Sequence, residues 1–248
     1  MPAAVRLSVN VNKVATLRNS RGGSVPSVMD AVEACLAAGA LGITVHPRAD
    51  ARHITTRDVQ DIAARLRRLR GQVEFNIEGD PRPDFIDLVL DVRPDQCTLV
   101  PVTPGEITSH AGWPPDAPPE PLQAVVARLH AASVRVSVFI DPDEAAARWA
   151  ARTGAERVEL YTEPYARACE RGDTDGRESF KRYAAVADAA DAAGLAVNAG
   201  HDLDLANLVR FRRLPHLAEV SIGHALVSRA LWVGLDRSVR EYLDVLAG

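Results

Sequence analysis

Eight times along the chain, a short run of aliphatic and β-branched residues gives way to a stretch rich in Ala and Leu at helical spacing. The runs are 5–11, 42–46, 73–78, 97–101, 134–140, 157–162, 195–199 and 219–224. Between and after them lie helical patterns near 27–38, 56–70, 82–92, 119–132, 142–152, 178–193, 203–212 and 225–246. Strands that are apolar almost throughout, each followed by a helix-length crossover, are what a parallel sheet covered on its outer face requires. Several helical stretches stop at a glycine, as in "LAAGALGITVH" and "DAAGLAVNAGH", where a left-handed cap needs no side chain. Eight such units in 248 residues match the size of a closed (β/α)8 TIM barrel, an α/β fold. A doubly wound open sheet is the alternative, but it does not call for eight nearly uniform units. No Pro/Gly/Ser-rich linker divides the chain, so residues 1–248 read as a single domain.

Charge and composition narrow the function. A formal net charge of -4 leaves no general footprint for nucleic acid, so any anion binding has to come from local clusters. Cys35, Cys97 and Cys169 form no CxxC motif and no even-numbered framework, which suits a reducing compartment. The sequence shows no signal-peptide pattern and no apolar run of membrane-spanning length. A cytoplasmic protein without a membrane partner is expected.

In a barrel of this kind the loops after the strands build the active face. The strand ends carry Asn10, Asn12 and Lys13; His46 and Arg48; Glu78; Thr103 and Thr108; Asp141; Glu159, Tyr161 and Glu163; Asn198 and His201; Gly223 and His224. Few strand starts are expected to carry comparable chemistry. The sequence therefore places its polar groups at one end of the barrel.

Each cluster has a chemical reading and a plainer one. "LRNSRGG" (17–23) offers Arg18 and Arg21 beside two glycines, fit to grip a phosphate or simply to form a solvated basic loop. The pairs Gly200-His201 and Gly223-His224 close strands 7 and 8, the usual place for a barrel phosphate site at a helix N-terminus; tight turns alone would also use glycine. His46, His201 and His224 suit proton transfer near neutral pH. His46 and His53 flank Asp50 at a spacing that matches no strong zinc pattern, so no metal is expected. Glu74, Asn76 and Glu78 share one face of strand 3 by its period of two. Glu78, nearer the loop end, reads as an acid or base, and Glu74 as a hydrogen-bonded structural partner.

Taken together, "VNVNKVATLRNSRG", "GITVHPRADARHI", "FNIEG", "EITS", "VSVFIDPDE", "ELYTEPYA", "VNAGHDL" and "IGHALVSRAL" resemble, in order and spacing, the pyridoxine 5'-phosphate synthase family of the deoxyxylulose-dependent vitamin B6 pathway. The resemblance implies a (β/α)8 barrel with additional helices, assembled as a homo-octamer. It implies condensation of 3-amino-2-oxopropyl phosphate with 1-deoxy-D-xylulose 5-phosphate, with release of phosphate and water and without a redox cofactor. It makes His46 and Glu78 general bases and His201 the general acid. Asn10 and Arg21, with the backbone at Asp202, Gly223 and His224, would hold the aminoketone phosphate. Arg48, His53 and Thr108, with Asn12 and Lys13, would hold the deoxyxylulose phosphate. The chain departs from the common pattern in having Asn12-Lys13 for Asp-His, Glu163-Pro164 for Gly-Cys, and Asp202 for glycine. Other phosphosugar barrels, such as aldolases or isomerases, and a non-catalytic phosphometabolite-binding barrel are the alternatives.

Overall fold

A computed structural model describes residues 4–101 and 111–248. Eight parallel strands close on themselves in chain order: β1 (Arg6–Asn10), β2 (Gly42–Val45), β3 (Glu74–Gly79), β4 (Gln96–Leu99), β5 (Arg135–Ile140), β6 (Arg157–Tyr161), β7 (Ala196–Gly200) and β8 (Leu217–Ile222). The ring is sealed by β1 pairing with β8, with Leu7 opposite Val220 and Val9 opposite Ile222. Around it run the crossover helices α2 (Val28–Ala38), α3 (Thr56–Leu66), α4 (Pro83–Val92), α5 (Glu120–Ala131), α6 (Glu144–Arg152), α8 (Asp173–Ala192), α9 (Leu205–Phe211) and α11 (Leu235–Ala247). Three further helices, α1 (Asn12–Asn19), α7 (Glu163–Arg171) and α10 (His224–Val233), begin within two residues of the ends of β1, β6 and β8. The fold is the (β/α)8 barrel with additional helices. Among the described residues no helix is long and apolar enough to cross a membrane.

The sequence reading missed where these extra helices lie. The segment read as a basic loop after strand 1 (17–23) begins inside α1, which ends at Asn19, and continues as a turn, while "EPYARACER" forms α7, with Pro164 in its first turn, where a missing N–H costs nothing. The last helical stretch is two helices, split at Gly234 with φ 85°.

Alternation along the strands sorts two environments. Leu7, Val9, Ile43, Val45, Phe75, Ile77, Cys97 and Leu99 are buried apolar side chains of the core between sheet and helices. The opposite set fills the barrel, and it is polar. Ser8 and Thr44 share a 2.7 Å hydrogen bond, and Thr98 donates to Asn76 at 3.0 Å.

Below this level the expectation that strand starts carry little chemistry is overturned. Arg6, Glu74, Gln96, Arg135, Arg157 and Glu219 all stand early in their strands. Arg6 and Arg135 each bring an Nη2 to 2.6 Å from Glu74, and Arg6 lies 3.3 Å from Glu219. Burial works against the Glu74 carboxylate, but Arg135, Arg157 and Arg6 together hold its pKa below the usual value. Charges this deep persist because they are paired with one another. Single strands show charged residues at their starts; only barrel closure shows that these residues meet.

Candidate active site

At the C-terminal end of the strands a cavity of about 430 Å³ opens into the barrel. It is lined by Asn10, Asn12, Lys13, His46, Arg48, His53, Glu78, His201, Asp202, Gly223 and His224, with the strand-end residues Glu159 and Tyr161, all named from the sequence, and also by Thr16, Arg52 and Ser221. Thr103 and Thr108 lie outside the described residues. Arg21 is exposed in the turn after α1 and does not line the cavity. Arg18, read as an anion-binding candidate, is committed elsewhere: its guanidinium grips Asp58 at 2.5 and 2.9 Å. A larger groove of about 710 Å³ runs outside the barrel along α7 and α9, but it contains neither His46 nor Glu78.

His46 follows β2, and its backbone N–H donates to Asn12 Oδ1 at 2.9 Å. The Asn12 N–H donates in turn to Asn10 Oδ1 at 3.0 Å. Both asparagines line the cavity, yet each spends its side-chain carbonyl on holding the ends of β1 and β2 in place. His46 Nδ1 lies 3.9 Å from Glu78 Oε2, and its buried Nε2 has no hydrogen-bond partner among the described residues. Burial, with His53, Arg48, His201 and Arg82 around it disfavouring a further positive charge, pushes the His46 pKa well below that of a free imidazole. Burial, with Glu159 and Glu219 nearby, pushes Glu78 well above the usual carboxylate value. The two shifts act in opposite directions: the imidazole is biased toward its neutral form and the Glu78 carboxyl toward its protonated form.

Glu159 is the residue that sequence reasoning placed at a strand end without giving it work. It is buried at the floor of the cavity, its pKa raised to about 8 by burial and by Glu219. Its place depends on Gly200, because a Cβ there would stand 2.4 Å from Glu159 Oε1. Gly223 has a similar reason: a Cβ would meet Asn10 at 3.0 Å. Both glycines of the Gly-His pairs thus serve close approach, with neither at positive φ.

The residues after Gly200 carry backbone strain. His201 and Asp202 have φ 83° and 55°, left-handed values that non-glycine residues adopt at a cost. Thr162 holds this turn, its hydroxyl 2.6 Å from the Gly200 carbonyl and within reach of that of His201, while Asn207 donates to the Asp202 carbonyl at 3.1 Å. The His201 ring packs tilted against Phe139 at 5.0 Å and edge-on to Tyr161 at 5.4 Å between centroids. On the same side, α10 starts at His224 with no side-chain cap, so its first N–H groups and its positive end face the cavity region. Across the mouth stand Lys13, Arg48 and His53.

Two carboxylic acids with raised pKa, two imidazoles and two separate cationic or N–H-rich edges make a site for proton transfer on a substrate bearing anionic groups. No group of three or more His, Cys, Asp or Glu placed to hold a metal occurs among the described residues.

Comparison with known proteins agrees with this geometry. The chain is 50% identical over 242 residues to a pyridoxine 5'-phosphate synthase of Bacteroides fragilis (strain YCH46), covering 97% of this chain and 99% of that protein. It is 49% identical over 243 residues to a pyridoxine 5'-phosphate synthase of Porphyromonas gingivalis, covering 98% and 99%. In fold it resembles the 3-hexulose-6-phosphate synthase of Salmonella typhimurium, with TM-score 0.65 at 14% identity, over 98% of this chain and 99% of that one. The family model for pyridoxal phosphate biosynthesis protein PdxJ matches residues 7–248, so that all eight strands but for Arg6 of β1, the acid–base cavity and α11 fall within it. With near-complete coverage by the family model and by relatives of about half-identical sequence, the chain belongs to the PdxJ family of pyridoxal phosphate biosynthesis proteins.

Proposed function

We propose that the barrel cavity condenses 3-amino-2-oxopropyl phosphate with 1-deoxy-D-xylulose 5-phosphate to form pyridoxine 5'-phosphate. The observation that carries this reading is His46 Nδ1 set 3.9 Å from Glu78 Oε2 inside the barrel, between two edges suited to phosphate. Closing a pyridine ring from a ketone, an amine and a polyol takes successive enolisations and dehydrations. Each needs a base at carbon and an acid at a departing oxygen.

His46, with Nε2 unengaged, takes the proton from carbon. Glu78, read from sequence as a base, starts as the acid and becomes a base once it has donated. Glu159, also held as its acid, supplies a further donor beneath them. His201 protonates a leaving hydroxyl from the opposite wall. The aminoketone phosphate sits at the Gly223-His224 end of α10 beside Asn10 and Asp202. The deoxyxylulose phosphate sits among Lys13, Arg48 and His53. Arg21 and Thr108 are assigned to these two phosphates by resemblance alone. The chemistry calls for no redox cofactor.

We further propose a homo-octamer working in the cytoplasm. Leu231 and Trp232 on α10, 69% and 85% exposed, are apolar surface that an assembly would cover. Sedimentation of the purified protein tests it: eight chains support the proposal, and a monomer at micromolar concentration overturns it. For the reaction, purified protein is mixed with both substrates and with each alone. A product with the mass and absorbance of pyridoxine 5'-phosphate, seen only in the full mixture, is the expected result.

A further inference from the structure

The segment between β2 and α3 brings His53 to the cavity, and its far end is held from outside. Arg18 Nη2 and Asn19 Nδ2, both on α1, donate to the His53 carbonyl oxygen at 3.2 and 2.8 Å. Neither donor is loose. Arg18 is doubly bonded to the Asp58 carboxylate and donates from Nε to Asn19 Oδ1 at 2.9 Å. Asp58 in turn accepts from the Thr55 N–H at 2.8 Å as part of the capping box that begins α3. The Arg18 and Asp58 side chains are only 13% and 12% exposed, so this clamp is stiff and shielded from water.

The His53 carbonyl and the Ile54 N–H belong to one planar trans peptide and point in opposite directions. Fixing the oxygen with two donors therefore fixes where the N–H points. It points at the His53 ring: Ile54 N–H donates to His53 Nδ1 at 2.9 Å. A nitrogen that accepts this bond carries no proton of its own, so in the neutral ring the proton is on Nε2.

We propose that Arg18 and Asn19 are positioning residues, which set His53 as an Nε2–H donor to a substrate phosphate by pinning the His53–Ile54 peptide plane. The proposal rests on the reading that His53 meets the deoxyxylulose phosphate. Burial, then the positive charges of Arg48 and Lys13, push the His53 pKa down to about 4. The ring is thus neutral at pH 7, and its tautomer alone decides whether it offers a phosphate a donor or a repelling lone pair. Release of the peptide plane would admit the Nδ1–H tautomer, and the anion site would lose its aimed N–H.

The test is nitrogen NMR of the imidazoles in the full-length 15N-labelled protein, with the His53 signals assigned by their loss in His53→Gln. Wild type should show Nε2 protonated and Nδ1 as acceptor, whereas Asn19→Ala and Arg18→Met should each show a tautomer mixture. In kinetics the same variants should raise KM for deoxyxylulose phosphate about tenfold, the loss expected for one good hydrogen bond to a charged group. KM for the aminoketone phosphate should stay unchanged and kcat nearly so. A clamp that merely stabilised the loop would lower Tm and leave the tautomer alone. An unchanged Nε2–H tautomer in both variants, or an equal rise in both KM values, overturns the proposal. Should wild type fail to turn over these substrates, the reaction reading falls, while the NMR signature still decides the role of Arg18 and Asn19. Asn19→Ala keeps the Arg18–Asp58 pair and so provides a folded variant even if Arg18→Met does not fold.

Discussion

His46 Nδ1 and Glu78 Oε2 face each other at 3.9 Å across the ends of two adjacent strands. Their surroundings push their proton affinities in opposite directions. The imidazole is thereby biased toward its neutral form and the carboxyl toward its acid form, the combination that lets one group take a proton while its neighbour gives one.

Removal of either half of this machinery should be costly for turnover and cheap for folding. His46→Ala and His201→Ala are each expected to lower kcat by roughly 10²–10⁴-fold, the usual contribution of a positioned acid or base. Both line the cavity at the mouth of the barrel. Steady-state kinetics with a melting curve check this: near-normal turnover in either variant removes that residue from the mechanism.

The buried acids give folding stability a definite pH dependence. Glu159 and Glu219 have pKa values raised to about 8 and 7 from a usual 4.5. Between the unfolded and folded values the native state holds more protons than the unfolded one, so this contribution is full below about pH 4.5 and is lost as pH rises through 7 to 8. Glu159→Gln, which cannot ionise, should therefore gain Tm relative to wild type on going from pH 5 to pH 8.5. A Tm difference that stays constant with pH contradicts the assignment.

Gly200→Ala should be poorly tolerated although alanine is small and the site is a strand end. The added methyl would lie 2.4 Å from Glu159 Oε1, and forced repacking of this kind costs about 1–3 kcal/mol. Denaturant unfolding measures the loss. Wild-type stability with full activity would show that Glu159 does not depend on this close approach.

The barrel itself was legible because alternating strand and helix patterns are local: each of the eight units announces itself within about a dozen residues. His46, Glu78 and His201 were legible because a strand end is a position in sequence as well as in space. What stayed hidden depends on closure. Glu74, Arg135 and Arg157 are separated by scores of residues, and only the ring brings them together. Arg18 looks like a phosphate ligand until Asp58, 40 residues away, is seen to occupy it. Glu159 reads as one more strand carboxylate until Gly200 on the next strand makes room for it. The helices α1 and α7 were missed because eight or nine residues directly after a strand resemble a loop in their polarity.

Lys13 lines the cavity beside His53 and Arg48. A charge-assisted contact from its ammonium to a substrate phosphate is worth about 1.5–3 kcal/mol, or roughly tenfold to a hundredfold in binding. Lys13→Met should accordingly raise KM for deoxyxylulose phosphate more than for the aminoketone phosphate, with kcat falling far less than in His46→Ala. A Schiff-base role would instead abolish kcat at unchanged KM, and borohydride would trap substrate on the wild-type chain.

The most direct test of the acid–base reading counts products. Two phosphorylated substrates enter and one phosphorylated pyridine leaves, so each turnover must release one inorganic phosphate. Purified protein with both substrates, in the presence of EDTA, should form pyridoxine 5'-phosphate and inorganic phosphate in a 1:1 ratio, and His46→Gln should slow both together. Phosphate released without the pyridine, or no product from the intact protein, would contradict the account.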